Sequence, residues 1–295
     1  MFETHRKHQY AVYNAVRKKL VNDPSILINL EEYVSDQIWK ILLGALNEIR
    51  RDYDEASNLY PFWQNYPPDN RGRKPVGDQI PWLDMGEHVV GDKLPRLLQQ
   101  KFSIQDCGIP VGPDKRLIIK HNEIARVTKN IANACWLFID IKSVGPRDDQ
   151  EHTVMSHNQI SGDGLWTDLK KGIVNTPIAA IGSRTNHKFF CAIPPIYVLS
   201  DGTILPVITL AIKPVYSMMG LTSQSDRGQP LKKIYLISIP NGLLLVENPG
   251  YLKKYPSLFF PGKDDKSKNP KKVRARISFE LLSKIASWRV KREIL

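Results

Sequence analysis

Over the first hundred residues apolar positions recur every three to four places, the period of a helix that buries one face. This pattern predicts a helix over about 9–21, stopped by Asn22-Asp23-Pro24. A longer helix is expected over about 30–56, where Tyr33, Val34, Ile38, Trp39, Ile41, Leu42, Leu46 and Ile49 form one stripe. From 60 to 81 seven prolines and glycines interrupt the period, and a helix does not continue through such a run. Arg71, Arg73 and Lys74 lie there among Phe62, Trp63 and Tyr66. That mixture suits a loop along a phosphate backbone and, equally, an ordinary surface loop. One more helix is expected over about 83–101, with Pro95 marking a kink or break.

The centre changes period. ACWLFIDIK (134–142) is an apolar run that ends in alternating charged and apolar residues, the pattern of a buried strand. Asp201-Gly202 and Asn241-Gly242 each separate two apolar runs, over 196–216 and 231–248, and each predicts a hairpin. Pro206 and Pro214 suggest an edge strand or a bulge in the first of these. A strand over 273–277 and a helix over about 279–288 follow. Helices first, a mixed sheet in the middle and a basic end predict an α/β fold with a central mixed β-sheet flanked by helices. A single domain over 1–295 is expected, with N-terminal helices to about 101, a catalytic sheet over about 102–250 and a basic part over about 251–295.

Charge narrows the choice of partner. Forty-two Lys and Arg stand against thirty Asp and Glu, a net charge of +12. Residues 251–295 alone hold thirteen basic and four acidic residues, a net of +9. Such asymmetry points to a polyanion, usually nucleic acid, although a solvated basic surface has the same composition. The basic residues are interleaved with turn and strand signals, which disfavours a membrane-surface helix. The first ten residues lack an apolar core of the secretory kind, and no apolar run approaches the ~18 residues of a membrane span. Three cysteines, Cys107, Cys135 and Cys191, without CxxC spacing, fit neither a disulfide framework nor a zinc site. A reducing, cytoplasmic setting is expected.

The candidate chemistry lies on the central strand. Alternate side chains of a strand share a face, so Asp140 and Lys142 point together while Ile139 and Ile141 turn into a core. Asp114 follows a Gly-Pro turn, twenty-six residues before Asp140, and precedes another apolar run. Adjacent strands would bring Asp114, Asp140 and Lys142 together. Two carboxylates repel unless a cation lies between them, and a hard divalent ion with oxygen ligands meets that need. Such a set can hydrolyse a phosphodiester, with Lys142 donating either to a scissile phosphate oxygen or to the attacking water. A turn-forming aspartate and a strand-end ion pair are the plainer readings of the same residues.

Pro113-Asp114 and Asp140-Ile141-Lys142 match the PD-(D/E)xK nuclease signature, and the flanking segments resemble the BglI family of type II restriction endonucleases. The segments run in order along nearly the whole chain: PFWQNYPP (61–68), GDQIPWLDMGE (77–87), GPDKR (112–116), FIDIKSVGPRD (138–148), NQISGDG (158–164), IPPIYVLSDGTI (193–204), IPNGLLL (239–245), NPGY (248–251) and FFPGKDD (259–265). The resemblance implies a PD-(D/E)xK restriction-endonuclease-like core and a homodimer that breaks both strands of DNA. The break would fall in an interrupted, G/C-rich palindrome and leave 5′-phosphate ends. Mg2+ is the implied cofactor, with Mn2+ able to take its place. A companion DNA methyltransferase is implied as well.

By the same resemblance Asp114 and Asp140 are metal carboxylates and Lys142 the catalytic lysine. The backbone carbonyl of Ile141 and the carboxylate of Glu87 are further candidate metal ligands. Lys263, Asp265, Arg274, Arg276 and Asp148 are assigned to base recognition, because Arg and Lys read guanine O6 and N7 while Asp accepts from cytosine N4. Lys268, Lys271 and Lys272 are assigned to phosphates. The segment from 115 to 134 and the tail ASWRVKREIL carry no such resemblance. Two alternatives stand beside this reading: a sequence-specific DNA-binding protein without cleavage, and a structure-specific repair nuclease.

Overall fold

The computed structural model describes residues 2–58, 85–106, 112–145, 149–217, 230–262 and 274–295. Three helices come first: α1 (Phe2–Asn22), α2 (Ser25–Gly44) and α3 (Leu46–Asn58). The stripe expected as one helix over 30–56 is thus two. Ala45 ends α2, and its N–H still bonds the Ile41 carbonyl at 3.1 Å, so the apolar period runs on through the break. Two short helices, α4 (Met85–Val89) and α5 (Leu94–Leu98), replace the single one expected over 83–101. Pro95 sits in the first turn of α5, where its missing N–H costs nothing. The proline-rich stretch 60–81 lies outside the described residues.

Strands β1 (Ser103–Asp106) and β2 (Lys115–Lys120) then lead through α6 (Asn122–Val127) to β3 (Ala134–Ile141). The chain continues with β4 (His152–Met155), β5 (Ile178–Ile181), β6 (Asn186–Phe189), β7 (Ile196–Val198), β8 (Ile204–Tyr216) and β9 (Leu231–Ile239). The last part holds α7 (Gly242–Val246), α8 (Tyr251–Lys254), β10 (Phe259–Phe260), β11 (Ala275–Ser278), α9 (Phe279–Ile285) and β12 (Val290–Ile294). The main sheet has the order β1-β2-β3-β8-β9-β12, with β7 also paired to β8. Its pairs are antiparallel except β3 and β8, which run parallel. A mixed central sheet flanked by helices is therefore the architecture, as the sequence predicts.

Every residue of β3 is buried, because the strand has a neighbour on each side and a layer on each face. Cys135, Leu137, Ile139 and Ile141 pack into a core with Leu30, Val34, Ile38 and Leu42 of α2. Trp136 and Phe138 face the other way, toward Ile193, Leu205 and Val207. Burying such side chains stabilises the fold by roughly 1.5–3 kcal/mol each. The second face is completed farther along by a small sheet, β10-β11-β4, whose Phe259, Ala275, Ile277 and Met155 meet Ala211, Tyr235 and Ile237 of the main sheet.

The hairpin at Asp201-Gly202 is present: β7 and β8 pair antiparallel with Val198 opposite Ile204, and Gly202 takes φ +84°. The one expected at Asn241-Gly242 is not. Asn241 instead caps α7, its side-chain oxygen accepting the Leu243 N–H at 3.0 Å, which is the other common use of asparagine before a glycine. Its amide nitrogen donates to the Pro195 and Val207 carbonyls, both at 2.9 Å. The bond to Val207 ties the end of β9 to β8, and the chain turns into α7 instead of returning as a strand. Pro206 and Pro214 lie in β8, an inner strand and not an edge, although the register does shift at Val215/Tyr216.

Candidate active site

Antiparallel pairing of β2 and β3 sets Lys115 opposite Ile139. Asp114 directly precedes Lys115, which places it at the end of that ladder, beside the end of β3. Asp114 emerges from the Gly112-Pro113 turn, where Gly112 takes φ +136°, and its exposed carboxylate accepts the Ile141 N–H at 2.6 Å. A charge-assisted bond of this kind fixes a carboxylate firmly. Asp140 is fully buried at the C-terminal end of β3. Its Oδ1 accepts from Lys142 Nζ at 3.0 Å and from Gln159 Nε2. The Lys142 side chain remains 33% exposed. The two aspartates and the lysine therefore meet at one strand end.

Gln159 was not singled out by sequence reading. It is only 9% exposed, and its own carbonyl oxygen accepts the Ser156 N–H at 2.7 Å, so the amide has one orientation. The loop that carries it is pinned at several points. Gly162 N–H bonds the Ile193 carbonyl at 2.9 Å, and Ser161 Oγ accepts the Gly242 N–H at 3.1 Å. The Asp163 carboxylate accepts from Thr176 N and Oγ1, both at 2.7 Å.

Helix α4 approaches the same strand end. A Cβ on Gly86 would fall 2.5 Å from Ser143 Cβ, one residue past Lys142, and Tyr53 Oη lies 3.3 Å from Ser143 Oγ. Burial pushes the Tyr53 phenol well above its ordinary value, against the lowering effect of that hydrogen bond. Glu87 is in α4, so its backbone is near the strand end; its side chain lies outside the described residues. Ile141 ends β3 with its N–H taken by Asp114.

Among the described residues no group of three or more His, Cys, Asp or Glu gathers to hold a metal. The donor set at this strand end is two carboxylates, with neither sulfur nor imidazole. Such a set fits a hard cation such as Mg2+, which uses one or two protein carboxylates and leaves its other positions to water and substrate phosphate. It does not fit a soft metal.

Of the residues assigned to DNA reading, Asp148, Lys263, Asp265, Lys268, Lys271 and Lys272 lie outside the described residues. Arg274 is exposed immediately before β11. Arg276 is in β11, opposite Val154 of β4, and its guanidinium donates to the Asp149 carboxylate. Asp149 is a second residue that sequence reading passed over. Lys213, fully inside β8, is a third; a lone lysine in an apolar strand must find acceptors, and that signal was legible.

The model of the family described as restriction endonuclease BglI matches residues 8–294. The type II restriction enzyme BglI of Bacillus subtilis is 44% identical over 289 residues, covering 97% of this chain and 96% of that protein. A crystal structure of the restriction endonuclease BglI bound to its DNA recognition sequence superposes with a TM-score of 0.92 at 43% identity. That match covers 100% of this chain and 99% of the other. The tetrameric restriction endonuclease SfiI, solved bound to cognate DNA, shares the fold at a TM-score of 0.57, with 13% identity over 91% of this chain and 84% of its own. These matches make the chain a type II restriction endonuclease, an enzyme that cuts DNA. Within that class it belongs to the BglI family.

Proposed function

We propose that the enzyme hydrolyses one phosphodiester bond in each strand of duplex DNA within an interrupted, G/C-rich palindrome, leaving 5′-phosphate ends. The meeting of Asp114, Asp140 and Lys142 at the end of β3 carries this reading. Asp114 and Asp140 hold Mg2+, or Mn2+ in its place, with the Ile141 carbonyl and Glu87 as further ligands. When bound, the cation supplies positive charge against the negative charge that grows on the phosphate, and it acidifies water.

The protein groups do the rest. Asp140 is kept in place by Gln159 and Lys142 and Asp114 by the Ile141 N–H, so the carboxylates need no rearrangement when substrate arrives. Lys142, anchored at 3.0 Å yet a third exposed, donates to a scissile phosphate oxygen or to the attacking water. Lys263, Asp265, Arg274, Arg276 and Asp148 read base edges, and Lys268, Lys271 and Lys272 hold phosphates. A relative solved on its DNA recognition sequence supports duplex DNA as the substrate. A palindromic site calls for a twofold-symmetric homodimer. A companion methyltransferase protects the host genome, and the enzyme acts in the cytoplasm; no described helix is long and apolar enough to cross a membrane.

Plasmid digestion with Asp140→Ala tests the assignment. Cutting in Mg2+ falls by at least about a thousandfold, while duplex binding in Ca2+ stays within a fewfold of wild type. Near-normal turnover would remove Asp140 from the site. Sequencing of the wild-type fragment ends gives the recognition sequence and the position of the break.

A further inference from the structure

Lys213 has no part in the phosphodiester chemistry, yet β8 buries it to 2% exposure beside the strand end that carries Lys142. Burial of an ammonium is costly unless its donors find acceptors. Its Nζ donates to the backbone carbonyls of Asp149 and His152 and lies 5.3 Å from the centre of the Phe279 ring. Both carbonyls belong to the segment that runs from the catalytic strand into β4. Lys213 thus clamps that segment against the sheet.

The Asp149 carboxylate sits at this clamp. His152 Nδ1 lies 2.9 and 3.0 Å from its two oxygens, and Arg276 Nη1 donates to Oδ2. Burial works to raise the Asp149 carboxyl, but the hydrogen bond and charge of His152 with the charges of Arg276 and Lys213 outweigh it and hold the group below the usual carboxylate range. Arg276 has a second close neighbour. Gly262 takes φ +59°, and a Cβ there would fall 2.4 Å from Arg276 Nε and 2.6 Å from its Cδ. The Arg276 side chain, 21% exposed, is therefore tied to Asp149 at its tip and closely approached by Gly262 along its stem. One Nη1 hydrogen goes to Asp149, whereas a guanidinium has five donors in a fixed fork.

We propose that Asp149 is the positioning residue for Arg276, orienting the fork so that its other donors meet a guanine edge, and so sets discrimination at one base pair of each half-site. This rests on the reading of Arg276 as a base contact. An arginine released from Asp149 still reaches DNA, but it does so from many rotamers and can settle on a phosphate as readily as on a base. Loss of Asp149 therefore weakens the choice between sequences more than it weakens binding to DNA as such.

The experiment compares kcat/KM in Mg2+ for a duplex carrying the mapped recognition sequence and for each single-base-pair variant of it. Arg276→Ala is expected to lower discrimination roughly 5- to 150-fold at one base pair per half-site. Asp149→Ala is expected to lower it about tenfold at that same pair and nowhere else. The double variant should match Arg276→Ala alone, since residues acting through one contact do not add. If Asp149→Ala folds poorly, Asp149→Asn, which keeps an acceptor without the charge, carries the comparison. Undiminished discrimination in the Asp149 variants beside a loss in Arg276→Ala would overturn the positioning role, as would an equal loss at every position or an additive double variant. Wild-type preference in Arg276→Ala would instead overturn the base-contact reading on which the role depends.

Discussion

Gly242→Ala is a substitution of one methyl group, outside the cleavage site, that should reach it. Asn241-Gly242 opens α7 directly over the loop that carries Gln159. An alanine Cβ at 242 would fall 1.9 Å from the Gly162 carbonyl oxygen and 2.1 Å from its carbon. Relief to even 3.0 Å, the tightest approach that real Cβ atoms show, moves one backbone by about 1.1 Å. Neither backbone is free to yield. Gly162 N–H holds the Ile193 carbonyl, and Gly242 N–H holds Ser161 Oγ. Overpacking costs about 1–3 kcal/mol, and two stretched hydrogen bonds add about 1 kcal/mol each. The sum, roughly 3–5 kcal/mol, lowers the melting temperature by roughly 5–8 °C in a chain of this size.

The same displacement moves Gln159, three residues before Gly162, away from Asp140. A misplacement of about 1 Å near a catalytic group costs on the order of a hundredfold in rate. Thermal unfolding and plasmid cleavage, the latter at a temperature where both proteins are folded, measure the two effects separately. Gly44→Ala at the end of α2, where an added Cβ meets nothing within 4 Å, serves as the control and should melt with the wild type or slightly above it. If Gly242→Ala melts and cuts like the wild type, the loop does not depend on this close approach and the argument fails.

Glu31 and Arg289, both fully buried, pair at 2.7 Å, so Arg289→Met should cost about 3–5 kcal/mol in urea unfolding by stranding a carboxylate. The double change Glu31→Met/Arg289→Met should recover only part of that, because the Asn241 N–H, bonded to Glu31 at 2.6 Å, loses its acceptor; an unchanged unfolding midpoint in Arg289→Met would contradict the pairing. Asp149 has its carboxyl held low by His152, Arg276 and Lys213 against the raising effect of burial. Its contribution is therefore present above the unfolded value of about 3.9 and lost as pH falls below it toward the folded value. Acid unfolding of Asp149→Asn should accordingly show a shallower pH dependence below about pH 4 than the wild type, and parallel curves would refute this. Burial pushes the Cys135 and Cys191 thiols far above their usual range. Both should resist a thiol reagent in the native protein and react once it is unfolded, and labelling of either in the folded enzyme would show that its pocket opens.

The proposed cleavage residues were legible because their geometry follows from short-range rules. Asp140 and Lys142 share a face by strand alternation, and Asp114 needed only the adjacency of β2 and β3 to join them. Asp201-Gly202 likewise makes its turn from local preference. Asn241-Gly242 has the same local preference and a different outcome, decided by the Pro195 and Val207 carbonyls that take its side chain from 46 and 34 residues away. The partners of the supporting residues were hidden for the same reason, even where, as for Lys213 and Arg276, the residue itself stood out. Gln159 bonds a partner 19 residues distant, Lys213 one 64 distant and Arg276 one 127 distant. Gln and Asp are ordinary in loops, and only the folded neighbourhood gives these two a task.

Parallel neighbours such as β3 and β8 cannot be joined by a tight turn; the chain must travel back to the starting end before it can run the same way again. Here that obligatory return, from Lys142 to Thr203, is furnished instead of wasted. It brings the Gln159 amide that bonds Asp140, the Asp149 carboxylate that bonds Arg276 of β11, and β4, to which β11 pairs. A topological necessity of one strand pair has thus become the physical tie between the proposed cleavage site and the strand proposed to read bases.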